Sequence, residues 1–142
     1  MKKLNFLLLS AVALGITTTS CTKHEDAAPS IVAKWYFDSR THTGNGITSP
    51  EEAVNDSSCP EKNFLDLKAT GDLQEQAVGD KTDPCSVNKV DGKYTYQNNV
   101  LKITESASST DLTVLSVTDT KLKFKLVNPD DPTDYYTYNL TK

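Results

Sequence analysis

At 142 residues, with 37% hydrophobic and 24% charged side chains, the chain has the length and apolar content of one globular domain. Fifteen lysines and arginines against nineteen aspartates and glutamates give a formal net charge of −4. That balance leaves no basic footprint for phosphates, so nucleic acid is excluded as the expected partner.

Residues 1–3 (MKK) are a basic start, and residues 4–16 are an apolar run too short to span a bilayer comfortably. Small residues 17–20 (TTTS) follow, and then Cys21. The arrangement resembles the end of a bacterial lipoprotein signal, where the cysteine thiol takes a diacylglycerol and becomes the new N-terminus. Thr18 stands where leucine is usual. An ordinary secretory signal with an incidental cysteine is the alternative, but lipidation also accounts for an odd third thiol in an exported chain. Removing residues 1–20 takes away Lys2 and Lys3 and no acid, which leaves thirteen basic residues against nineteen acidic ones, a net charge of −6. The expected division is a signal at 1–20, a tether from Cys21 at 21–29 and one domain at 30–142. The expected location is the outer membrane, held by the lipid anchor alone. Lys23, Glu25 and Asp26 in the tether resemble a surface-export signal interrupted by His24; a plain solvated linker reads equally well. With Cys21 lipidated, Cys59 and Cys85 remain as a pair in an oxidising compartment. Two isolated cysteines without a neighbouring histidine do not match zinc-site spacing.

Strand A is expected at residues 30–37 (SIVAKWYF), where Ala33, Trp35 and Phe37 alternate with Lys34 and Tyr36. Residues 39–62 are a long polar connection, inside which Ser49-Pro50-Glu51-Glu52 has the form of a capping box and predicts a short helical turn through about Val54. Strand B is 63–69, strand C is 73–78 and strand D is 92–97, with a polar loop at 79–91 that holds Cys85. Asn98-Asn99 suits the left-handed residues of a two-residue hairpin into strand E, with Leu101 and Ile103. Strand F at 111–117 shows no clear division into two faces. In strand G, Leu122, Phe124 and Leu126 alternate with Lys121, Lys123 and Lys125, and the lysines read as a solvent face. Strand H at 135–141 ends the series.

The connections A–B, C–D, E–F and G–H read as the longer ones, and B–C, D–E and F–G as tight turns. In an up-and-down meander those two sets gather at opposite ends. The predicted fold is therefore all-β: an eight-stranded antiparallel up-and-down barrel, whose closure removes exposed sheet edges. Cys59 and Cys85 both fall at the long-loop end, so a bridge between them is sterically sensible.

This pattern resembles a lipocalin-like domain of the compact kind found on small bacterial lipoproteins. The resemblance runs from about Ile31 to Leu140 and rests on IVAKW, GKYTYQNNVLKIT, TDTKLKFKL and the placement of Cys59 and Cys85. It implies that Trp35 closes the barrel floor, with Ala33 in place of the Gly of the family's Gly-x-Trp. It also implies an arginine near the last strand lying over the Trp, yet no arginine follows Arg40, so that partner is missing or replaced.

Chemistry-bearing motifs are sparse. Asp38, Ser39 and His42 are neighbours, but a triad also needs an oriented base and an oxyanion hole. The loop NPDDPTD lacks the ligand spacing and glycine of an EF-hand. No enzymatic activity and no cofactor are expected. What the resemblance implies is a small hydrophobic ligand in the barrel mouth, with inward residues Tyr96, Leu101, Phe124 and Tyr136 as candidate contacts; plain core packing is the competing account of each. The alternative function is a filled barrel that uses its long rim loops on an envelope protein. An apolar void of roughly 300 Å³ or more is what would favour the ligand over the filled barrel.

Overall fold

The computed structural model describes residues 30–79 and 82–142. The expected signal, Cys21 and the tether lie outside the described residues. The strands are β1 (Ala33–Gly44), β2 (Ile47–Thr48), β3 (Glu52–Ala53), β4 (Phe64–Leu67), β5 (Asp72–Val78), β6 (Val87–Gln97), β7 (Val100–Glu105), β8 (Ser108–Val117), β9 (Lys121–Asn128) and β10 (Asp131–Thr141). From β4 to β10 each strand pairs antiparallel with the next, and β1 pairs with both β4 and β10. Eight strands thus close into a barrel, and they are the eight expected as A to H. The short strands β2 and β3 fold back onto the upper part of β1.

Strict alternation fills the interior. Trp35 pairs with Leu65, Leu67 with Leu73, Leu101 with Leu112 and Leu122 with Leu140, each couple sharing the inner face. Trp35, Leu65, Leu101, Leu122 and Leu140 are at most 1% exposed, and full burial of such a side chain stabilises by about 1.5–3 kcal/mol. The lysines of β9 take the outer face, where Lys125 lies 4.2 Å from the ring centre of Tyr135.

Trp35 lies at the closed end, beside the tight turns that follow β4, β6 and β8. Its indole Nε1 donates to the Ile31 carbonyl at 2.8 Å, so a buried donor is satisfied by the chain that leads into β1. Lys142 Nζ stands 4.8 Å from the ring centre, which supplies a cation over the Trp without an arginine. Ala33 pairs with Leu67 on the same inner wall.

Two extra residues decide which side chains reach the interior. Asp38 is a bulge between Phe37 and Ser39 in the pairing with β10. Ala33, Trp35 and Phe37 point inward below it; above it Arg40 pairs with Tyr138 and His42 with Tyr136, and these now face inward instead. Leu115 is the second bulge, between Val114 and Ser116. It is 50% exposed, and it explains why β8 shows no single alternation.

Two expectations are corrected. No helical turn forms at 49–54. Ser49 exchanges backbone contacts with His42, donating its N–H to the His42 carbonyl at 2.8 Å and accepting the His42 N–H on its hydroxyl at 3.0 Å. Glu52 reaches Arg40 at 2.6 Å and does not turn back to cap. Pairing with β1 satisfies these groups, so the segment becomes β3. The second correction concerns the connections after β7 and β9. They are tight turns, at Ser106-Ala107 and Pro129-Asp130, with Ser106 at φ 50°. The strands that follow start earlier than their apolar pattern, because above the core the ladder forms without a buried face to impose alternation.

Cys59 and Cys85 form a disulfide with their Cα atoms 5.3 Å apart. It ties the β3–β4 connection to the β5–β6 loop. Gln76, 2% exposed, donates to the Lys62 carbonyl of the β3–β4 connection at 2.9 Å.

Candidate ligand-binding site

Inward positions of β1, β5, β7, β8, β9 and β10 above the floor open onto a cavity of about 340 Å³. Leu101 and Leu122 are floor residues; Ile103 and Glu105, and Phe124 and Leu126, are the next inward positions on the same strands, and they line the void. Phe37, Leu65 and Leu112 continue its apolar wall. Phe37 meets Phe124 edge-on at 6.1 Å and Tyr138 edge-on at 5.6 Å, and Phe124 lies 5.3 Å from Tyr138. Such edge-on ring contacts stabilise beyond the area they bury.

The other wall is polar. Glu75, Glu105, Thr110 and Arg40 all line the cavity. Burial first, and the Glu105 charge second, push the Glu75 carboxyl above its ordinary value. Gly92 makes room for this arrangement. A Cβ there would come within 2.7 Å of the Thr104 carbonyl oxygen and 3.1 Å of Glu105 Cγ. Arg40 is already engaged with Glu52.

Above the cavity is a rim cluster. His42 Nε2 lies 2.5 Å from Asp134 Oδ1 and its ring stacks on Tyr136 at 4.7 Å. Asn128 donates to the other Asp134 oxygen at 3.2 Å. The His42 hydrogen bond, followed by that of Asn128, holds the Asp134 carboxyl below its ordinary value.

Of the four candidate contacts expected, Phe124 lines the cavity. Leu101 is wholly buried beneath it. Tyr96 pairs with Leu101 beside the β6–β7 turn, with its hydroxyl 3.3 Å from Asn99 Oδ1, and so belongs to the floor end. Tyr136 sits at the rim against His42. Ser39 and His42, neighbours in the sequence, occupy opposite faces of β1: Ser39 is outside, donating to Glu51 and accepting from Asn139. In NPDDPTD, Asp131 accepts from the Thr133 backbone and hydroxyl while Asp134 turns to His42. No group of three or more His, Cys, Asp and Glu converges among the described residues.

Glu75, Glu105 and Arg40 escaped the sequence reading. Glu75 continues the inward phase of Leu73, and Glu105 that of Leu101 and Ile103, so both were available from alternation. Arg40 was not, because its phase depends on the Asp38 bulge.

A family model described as a lipocalin-like domain matches residues 31–124 of the chain. No curated protein matches it. The matched span reaches from the residue that accepts the Trp35 hydrogen bond to the phenylalanine in the cavity wall.

Proposed function

The chain belongs to the lipocalin-like domain family, and from that premise we propose that it is a non-catalytic binding module. One small, largely apolar molecule occupies the upper half of the barrel. The observation that carries this reading is the void of about 340 Å³ above a fully plugged floor. Ligand cavities span roughly 300–1,000 Å³, so the bound molecule is small. A completely packed barrel would have favoured the rim-loop alternative.

The module is tethered to the outer membrane through a lipid on Cys21, a reading supported by the basic, apolar and small-residue succession before that cysteine. The chain reaches β1 from the floor side, at Ile31, which biases the mouth away from the membrane. Metabolic labelling of the full chain with an alkyne fatty acid is expected to mark the protein and to fail for Cys21→Ala. Labelling that survives this substitution would contradict the anchor.

Binding is tested by thermal-shift screening of the soluble chain from residue 22 against fatty acids, retinoids, bile acids and small apolar amines. At least one class is expected to raise Tm, and Leu126→Trp, which places an indole in the cavity, is expected to abolish the rise. No stabilisation by any class, or the same stabilisation in the plugged variant, would sink the cavity reading.

A further inference from the structure

Three charged side chains line the cavity, and they are not equivalent. Arg40 is neutralised by Glu52 at 2.6 Å and lies 5.4 Å from the ring centre of Tyr136. Glu75 and Glu105 take part in no ion pair among the described residues. The Glu105 Oε1 atom is fully buried and has no hydrogen-bond partner among them. Leaving a buried acceptor unsatisfied destabilises, and more so when it is charged. A second carboxylate close enough to perturb its neighbour adds repulsion.

From this we propose that the cavity takes a molecule with a cationic head, an amine or ammonium, on a compact apolar body, with Glu75 and Glu105 as its anionic end. The proposal rests on the cavity-binding reading above and specifies the ligand's chemistry. Three features of the site converge on it. Glu75 and Glu105 both line a space large enough for a head group, and an N–H donor there would meet their carboxylates with charge-assisted hydrogen bonds. The bare backbone of Gly92 is what lets Glu105 lie against the wall, since a Cβ would press on both its Cγ and the Thr104 carbonyl. Across the void, the rings of Phe37, Phe124 and Tyr138 cover an apolar body and tolerate positive charge near their faces.

The same arrangement discriminates. A fatty acid that entered head first would set its carboxylate against two others, a like-charge contact that disfavours the wrong ligand. A metal ion is poorly served, because two carboxylates form the whole acidic set and no third ligand converges on them among the described residues.

The test uses three probes that share one rigid hydrocarbon cage: 1-adamantylamine, 1-adamantanol and adamantane-1-carboxylate. Their affinities for the chain from residue 22 are measured by calorimetry at neutral pH and low salt. The amine is expected to bind about tenfold more tightly than the alcohol and the carboxylate more weakly still, a tenfold step being about 1.4 kcal/mol. The double variant Glu75→Gln, Glu105→Gln is expected to bring the amine down to the level of the alcohol while the alcohol still binds, which also reports that the variant folds. If the alcohol or carboxylate binds as well as the amine, or if the double variant keeps the amine's advantage, the cationic-head proposal is overturned and the cavity reading stands. If none of the three binds, the cavity reading fails and this proposal with it.

Discussion

Trp35→Ala is expected to lower the unfolding free energy by about 3–5 kcal/mol, the cost of deleting a large buried aromatic side chain. Small domains have about 5–15 kcal/mol in total, so this one change removes much of the margin. Three losses combine. The fully buried indole leaves a hole among Leu65, Leu67 and Leu140, the Ile31 carbonyl loses its 2.8 Å donor, and Lys142 loses the ring beneath it. Trp35→Phe keeps most of the apolar volume and gives up the hydrogen bond, so a loss of about 1–2 kcal/mol is expected from it. Urea unfolding followed by far-ultraviolet circular dichroism separates the two. A Trp35→Ala change worth less than about 1 kcal/mol would mean that the barrel is not held at its floor.

Removal of the disulfide by the paired change Cys59→Ser, Cys85→Ser is the second large effect. The bridge spans a sequence separation of 26 residues, for which the chain-entropy relation gives about 3.5 kcal/mol. The folded state loses something as well. The bridge holds the connection before β4 against the loop after β5. The same urea experiment on the oxidised protein and the double variant checks this. Equal midpoints would show that the β3–β4 connection is fixed without the bridge.

The barrel was legible because its lower half obeys one rule. From the floor upward, Trp35, Leu65, Leu73, Leu101 and Leu122 each stand two residues from their inward neighbours, and the turns between their strands carry residues suited to left-handed backbone: Gly71 at φ 80°, Asn98 at 51° and Asn99 at 61°. The rule breaks at the Asp38 bulge above Phe37 and at the Leu115 bulge on the floor side of Val114. A bulge leaves no local mark in the sequence, since its cause is the pairing partner. For that reason Arg40 and His42 could not be assigned to the interior in advance. The capping-box pattern at Ser49 was misleading for a related reason: the first turn of a helix and an edge pairing with β1 satisfy the same hydroxyl and carboxylate, and the available β1 edge won. Alternation does carry Glu75 and Glu105 inward, but a charged side chain on a strand is read as outward by default. Two carboxylates in phase with Leu73 and Leu101 are thus the feature on which the proposed binding wall rests.

The most direct measurement of the central account is a backbone and methyl chemical-shift map of the chain from residue 22 as a cavity-binding probe is titrated in. Shifts are predicted to concentrate on Ile103, Leu112 and Leu126, with Leu101 and Leu140 at the floor unmoved and the whole response lost in Leu126→Trp. Shifts confined to the rim loops or the outer lysine face, with these methyl groups silent, would contradict a ligand held inside the barrel.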